Sequence, residues 1–326
     1  MPFLLIKYLV VYGLALNKKV VKIGTRGSAL ALWQATWIKN RLEDRYPEIT
    51  LELIKIKTKG DKISDVPLSK IGGKGLFVKE IEQALMDGRI DMAVHSMKDV
   101  PTEVPHGLYI GIIPKRDDPR DVLIAKRGGT FRTIKRGAKI GTSSLRRKAQ
   151  LLYLRKDLQV VPLRGNLDTR IRKLDKEDLD AIIVASAGVR RMELQEKVSE
   201  YLSPGIMLPA IGQGALGIEL RQGDEKMYNL VAFLDHHRTR LSIEAERSFL
   251  KRLGGGCQVP IAALGILEDK RLKLQGLVAD TEGTQIIKDQ IEGEPSNAQE
   301  LGRKLAERLL RKGAQKILDE VYGGKR

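Results

Sequence analysis

The run Lys22-Ile23-Gly24-Thr25 recurs as Lys139-Ile140-Gly141-Thr142. Each copy is followed by serine and arginine and then by a helix-like pattern. A second echo comes later in each half, Asp91-Met92-Ala93-Val94 against Asp180-Ala181-Ile182-Ile183-Val184. Two echoes in the same order constrain the chain to an α/β fold with two lobes of similar build facing each other across a cleft. The matches are short, and a chance likeness stays open as the other reading.

The first copy opens a lobe. Val20 to Gly24 reads as a short buried strand, and Ala29 to Arg45 as a helix with Leu30, Trp33, Trp37, Ile38 and Leu42 at apolar positions. A strand entering a helix through Thr25-Arg26-Gly27-Ser28 makes an anion pocket, because backbone N–H groups and the helix dipole point there. Arg26 adds a planar fork suited to carboxylate. Ile49 to Lys57 alternates as a half-buried strand does. Residues 58–77 hold four glycines and Lys59, Lys62, Lys70 and Lys74. That composition fits a mobile cover over an anionic ligand, and equally a solvated loop. Leu76 to Asp87 reads as a helix and Ile90 to Val94 as a strand. His95-Ser96-Met97-Lys98-Asp99-Val100-Pro101 follows, beyond the strand's carboxyl end, where α/β sheets bind ligands. Asp99 is there either a surface turn residue or a functional carboxylate.

The second lobe is expected over 114–208. From Lys115 to Glu200, 22 Lys and Arg stand against 12 Asp and Glu, so most of the net charge of +17 lies here. Ser143, Ser144, Arg146 and Arg147 open one helix, Arg164 and Arg170 follow the strand Gln159 to Leu163, and Arg190 and Arg191 follow the strand Ala181 to Ala185. A solvated basic face does not explain arginines gathered at three strand exits, whereas a polycarboxylate site does. Pro209 to Gly217 then leads back to the first lobe through the strand Ile218 to Leu220. The expected division is an extension at 1–17, a first domain at 18–113 with 209–234, a second at 114–208, and a small α+β third at 235–326. The third holds strands near 261–266, 272–278 and 285–292 and closes with one amphipathic helix, Asn297 to Tyr322.

Cys257 is the only cysteine, in Gly254-Gly255-Gly256-Cys257-Gln258-Val259-Pro260. It follows a helix pattern from Arg240 to Leu253, so a loop position is expected. The residues alone leave it a small buried hydrophobe or a reactive, modified thiol. One cysteine rules out an internal disulfide framework and suits a reducing, cytoplasmic compartment. Four scattered histidines give no metal site. The apolar run Met1 to Leu16 is too short and interrupted for a membrane span and lacks a signal peptide's features. An upstream extension, or a start codon called too early, is the expected explanation. Charge alone also suggests nucleic acid, but aromatic residues for stacking are sparse at 5%.

The runs KIGTRGSALALWQ, GGKGLF, AVHSMKDVP, GTSSLRR, RGNLDTR, PAIGQGALGIE and GGGCQVP occur in one order. Together they resemble the porphobilinogen deaminase family, from about Lys22 to the C-terminus. The resemblance implies two lobes built like periplasmic binding proteins and a third domain. It implies a dipyrromethane cofactor bound to Cys257 through a thioether, and Asp99 as the catalytic carboxylate beside pyrrole nitrogens. It implies that Arg26, Ser28, Ser96, Lys98, Thr142, Ser144, Arg146, Arg147, Arg164, Arg170 and Arg191 contact cofactor and substrate, with Lys70 and Lys74 near the mobile loop. The implied reaction joins four porphobilinogen molecules head to tail with loss of ammonia and releases hydroxymethylbilane. A monomer is expected, binding neither nucleic acid nor membrane. The alternative is a two-lobed binding protein for an acidic small molecule.

Overall fold

The computed structural model describes residues 20–62, 75–255 and 259–323. Lys70, Lys74, Cys257 and the 1–17 extension lie outside them. The first lobe contains β1 (Val20–Thr25), α1 (Ala29–Arg45), β2 (Thr50–Lys55), α2 (Lys79–Met86), β3 (Met92–Ser96) and β4 (Leu108–Ile112). The second contains β5 (Asp121–Ala125), β6 (Lys139–Gly141), α3 (Leu145–Leu154), β7 (Gln159–Val161), α4 (Leu167–Lys176), β8 (Ala181–Ala185), α5 (Ser186–Arg191) and β9 (Glu200–Leu202). The chain then returns to the first lobe through β10 (Leu216–Arg221) and α6 (Glu225–Val231).

The two sheets have the same plan. Their strand orders are β2-β1-β3-β10-β4 and β7-β6-β8-β5-β9. In each, the fourth strand runs antiparallel to its neighbours: β10 against β3 and β4, β5 against β8 and β9. The repeated motifs fall on equivalent strands, β1 with β6 and β3 with β8. The echoed aspartates do equivalent work. Asp91 Oδ2 accepts from Lys22 N–H at 2.8 Å, and Asp180 Oδ2 accepts from Lys139 N–H at 2.8 Å. Each carboxylate thus satisfies a backbone donor at the start of the neighbouring strand, one of the groups that burial would otherwise penalise.

Each antiparallel strand directly follows the other lobe in sequence, so the chain crosses between lobes twice. Side chains join the crossings: Arg116 Nε donates to the Gln213 carbonyl at 2.7 Å. Gln213 in turn donates to the Pro119 carbonyl at 2.7 Å and to Asp121 at 3.0 Å.

The third domain packs α7 (His237–Arg252) and α8 (Ala298–Leu309) on an antiparallel sheet of β11 (Ile261–Glu268), β12 (Arg271–Ala279) and β13 (Ile286–Gly293). The two helices cross closely because Gly302 lies on the Ala245 carbonyl, where a Cβ would sit 2.2 Å from that oxygen. The closing helix is not continuous, contrary to the sequence expectation. Gly313 has φ 104°, so the chain leaves α8 through a wide turn at Leu310–Ala314 and resumes as α9 (Gln315–Gly323). A positive φ is open to glycine without a Cβ penalty.

Candidate active site

Four strand ends deliver the candidate residues. β1 ends at Arg26, β3 runs into a 3-10 turn, Met97–Asp99, β6 leads to Thr142 and Ser144, and β7 leads to Arg164. Ser28 and Ser144 are the N-caps of α1 and α3. Their hydroxyls accept from Ala31 N–H at 3.3 Å and Arg147 N–H at 3.4 Å. Thr142 Oγ1 accepts from Ser144 N–H at 3.2 Å. Ser96 Oγ accepts from the buried Gln34 amide at 3.0 Å.

The turn bearing Asp99 is pinned from several sides. Met97 N–H donates to the Ala215 carbonyl at 3.0 Å, and Met97 packs with Val100, Ile113, Ala215 and Ile243. From α7, Arg247 donates to the carbonyls of Val100, Pro101 and Thr102. Asp99 is half-buried, with Arg26 Nη1 4.0 Å from its Oδ2.

The cations differ in what they already hold. Arg26 donates to Asp61 Oδ1 from Nε at 3.1 Å and from Nη2 at 2.5 Å, and its guanidinium lies 4.3 Å from the Phe77 ring centre. Arg146 and Arg147 are buried and converge on Asp121. Arg146 Nη1 donates to Asp121 at 2.7 Å and to the Leu208 carbonyl at 2.6 Å. Arg147 donates to Asp121 at 2.8 Å and to the Ile183 carbonyl at 2.9 Å. Burial pushes the Asp121 carboxyl up, but the two guanidiniums outweigh it and hold it down at about 2. Arg191 donates to the Gly214 carbonyl at 2.7 Å, on the second crossing, and its guanidinium lies 5.9 Å from the Trp33 ring centre in the first lobe.

Three cations are differently placed. Among the described residues Lys98 and Arg164 have no hydrogen-bond or ion-pair partner, and the Arg170 side chain has only the Gly165 carbonyl, at 2.8 Å. Burial pushes Arg170 down to about 10, with Arg147 and Arg164 adding to it and Asp99 opposing. Burial likewise pushes Lys98 down to about 8, opposed by Asp99 and assisted by Arg147. Arg147 and Arg170 of the second lobe thus act electrostatically on Lys98 of the first, and Asp99 on Arg170. A rim of under-paired cations around one carboxylate fits a ligand with several carboxylates and a positive centre. The fit extends to a dipyrromethane with acidic side groups.

Some neighbours were not legible in the sequence. Asp61 and Phe77 bracket Arg26 from the two ends of the 58–77 segment, and Asp121 anchors two arginines. A buried group lies under β3: His95 Nε2 and Glu219 Oε2 are 2.9 Å apart, with the buried Glu82 beside them. Burial first, then Glu219, pushes Glu82 up to about 7. Glu219 Oε1 has no partner among the described residues. The sequence signal available was a glutamate inside an apolar strand, Ile218-Glu219-Leu220.

Residues 21–229 match the family model described as porphobilinogen deaminase, dipyromethane cofactor binding domain, and residues 240–311 match porphobilinogen deaminase, C-terminal domain. The chain belongs to the porphobilinogen deaminase family. The porphobilinogen deaminase of Geobacter metallireducens is 56% identical over 304 residues, covering 93% of this chain and 95% of its own. That of Syntrophotalea carbinolica is 52% identical over 303 residues, covering 93% and 96%. Among solved structures, the periplasmic aliphatic sulphonate binding protein SsuA from Escherichia coli is 16% identical with a TM-score of 0.38, covering 72% of this chain and 70% of its own. That likeness is too distant to say anything about a ligand.

Proposed function

We propose that this chain is the enzyme that joins four porphobilinogen molecules on a dipyrromethane cofactor and releases hydroxymethylbilane for tetrapyrrole biosynthesis. The observation that carries the reading is the half-buried Asp99 carboxylate, with Arg26 Nη1 4.0 Å away, in a site that also holds the under-paired cations Lys98, Arg164 and Arg170, inside a chain that belongs to this family. Cys257, which follows α7, is the proposed attachment point. When bound, the dipyrromethane supplies a pyrrole α-carbon to which the first unit is joined.

The residues divide the work. Arg164, Arg170 and Lys98 hold acetate and propionate groups, and Arg26 joins them when it exchanges Asp61 for a ligand carboxylate. Lys70 and Lys74 add to that set from the 58–77 segment. Ser28, Ser96, Thr142 and Ser144 shape the strand ends where those groups settle. Arg146 and Arg147, paired with Asp121, and Arg191, whose Nε lies 3.6 Å from Asp117, act on carboxylates through the charge those partners leave, while bracing the lobes. The Asp99 carboxylate faces pyrrole N–H and stabilises the positive charge that develops there as ammonia leaves. Carboxylate needs no reorganisation for this, because its turn is already fixed by α7 and β10.

Asp99→Asn tests the assignment. The variant should fold and keep its cofactor, and kcat should fall by at least about a hundredfold, as loss of a preorganised charge does. Near-normal turnover would exclude the role. A cytoplasmic location, which the single cysteine supports, and a monomeric state complete the proposal. Among the described residues no helix is long and apolar enough to cross a membrane.

A further inference from the structure

The Asp99 carboxylate has little of its own to aim it. Among the described residues it accepts no hydrogen bond, and its one ion-pair contact is Arg26 Nη1 at 4.0 Å. Its direction is therefore set by the backbone that carries it. At a reacting centre a displacement of about 1 Å can cost about a hundredfold in rate.

That backbone is irregular. Val100 N–H donates to the Met97 carbonyl at 3.3 Å and closes the 3-10 turn. Pro101 has no N–H to give. Beyond the turn, no helix or strand covers residues 100–102 or takes up their carbonyls. Arg247 of α7 takes up all three. Its Nη1 donates to Val100 at 3.1 Å, and its Nη2 donates to Pro101 at 2.5 Å and to Thr102 at 3.3 Å. Carbonyls shielded from water need such partners.

Arg247 makes no ion pair among the described residues. Burial pushes its guanidinium down, with no carboxylate opposing it. Its planar fork of donors, rather than a paired charge, is what it brings to the site. The same helix ties the same segment once more, through Lys251 Nζ and Glu103 Oε1 at 3.3 Å, but both side chains are exposed. A pair of that kind contributes little.

Building on the function proposed above, we propose that Arg247 is a positioning residue for the coupling step: by holding the three carbonyls after Asp99, it aims that carboxylate at the pyrrole N–H. Arg247 touches neither cofactor nor substrate and acts through Asp99 alone. The third domain thereby sets the rate of chemistry performed by the first lobe. Cys257, the proposed attachment point, follows the same helix in sequence.

The test is a double-mutant cycle on the purified holoenzyme. Arg247→Lys keeps the charge but replaces the fork with a point donor. It should carry its cofactor by intact mass and keep its KM, while kcat falls by about ten- to a hundredfold. Arg247→Leu, with no donor, should lose at least as much. With Asp99→Asn already present, Arg247→Lys should lower the residual kcat by less than about twofold, because the group it acts through is gone. Lys251→Ala, which cuts only the exposed tie, should leave kcat unchanged. A near-normal kcat in Arg247→Lys would overturn the proposal, as would an equal loss in the Asp99→Asn background. So would an Arg247→Lys chain without cofactor, since the arginine would then be structural. Should Asp99→Asn turn over too slowly to read, the split decides alone. A fall in kcat at constant KM supports the role, and a matching rise in KM overturns it. Wild type that makes no hydroxymethylbilane would instead sink the wider function, and this role with it.

Discussion

Asp121 receives four hydrogen bonds, one from Arg146, two from Arg147 and one from Gln213. Its folded pKa lies below the ordinary carboxylate value of 3.8, at about 2. The native state therefore binds fewer protons than the unfolded one in acid. The stability this contributes is present above the unfolded pKa and is lost as pH falls through the folded one, about 2 kcal/mol in all. Asp121→Asn leaves two buried guanidiniums under-paired and should cost about 3–5 kcal/mol in urea unfolding. Glu82 has the opposite sign. Its folded pKa is raised from 4.5 to about 7, so stability falls as pH rises between those values. Glu82→Gln should remove that slope and stabilise the protein above pH 7 by roughly 3 kcal/mol, seen as a raised Tm. The sequence showed which arginines gather at strand exits. It did not show which are held by a carboxylate, because Asp121 lies 25 residues before Arg146, in a stretch where no strand was read.

At the scale of elements, the repeat was legible because Lys-Ile-Gly-Thr and the later aspartate are tied to each other. The aspartate accepts the backbone N–H of the lysine that begins the motif, in both lobes. β4, β5 and β9 were not read. They are short, and their pairings, β4 with β10, β5 with β8 and β9 with β5, are distant in sequence and antiparallel. The break at Gly313 was missed because Leu305, Leu309, Ile317 and Leu318 keep a helical period across it, while a single glycine inside a helix pattern is tolerated. The contact of α7 with α8 gives a prediction at this scale. Gly302→Val forces a side chain onto the Ala245 and Phe249 backbone and should destabilise the third domain by about 1–3 kcal/mol, measured by denaturant unfolding. Ser248→Ala, on α7 in the same contact, keeps the Cβ that faces Gly302 and loses only the hydrogen bond to the Gln299 carbonyl, so it should cost less.

Over the whole molecule, the third domain reaches both lobes. Glu246 of α7 is buried and accepts from Arg116 and from Gly212 N–H on the two crossings, and from Gly265 N–H on its own sheet. The turn at Asp280–Gln285 lies on α3, with Lys148 bonded to Glu282 at 2.7 Å. One helix thus links the crossings and, through Arg247, the Asp99 turn. Glu246→Ala leaves Arg116 without its buried partner and should cost about 3–5 kcal/mol in thermal or urea unfolding. The central claim is that a dipyrromethane tethered at Cys257 is the primer on which Asp99 and the cleft cations act. Intact-mass spectrometry of the purified chain and of Cys257→Ser tests it most directly. Wild type should exceed its sequence mass by two pyrrole units, and Cys257→Ser should show no excess and no turnover. An unmodified wild-type thiol in a chain that makes hydroxymethylbilane at full rate would contradict it.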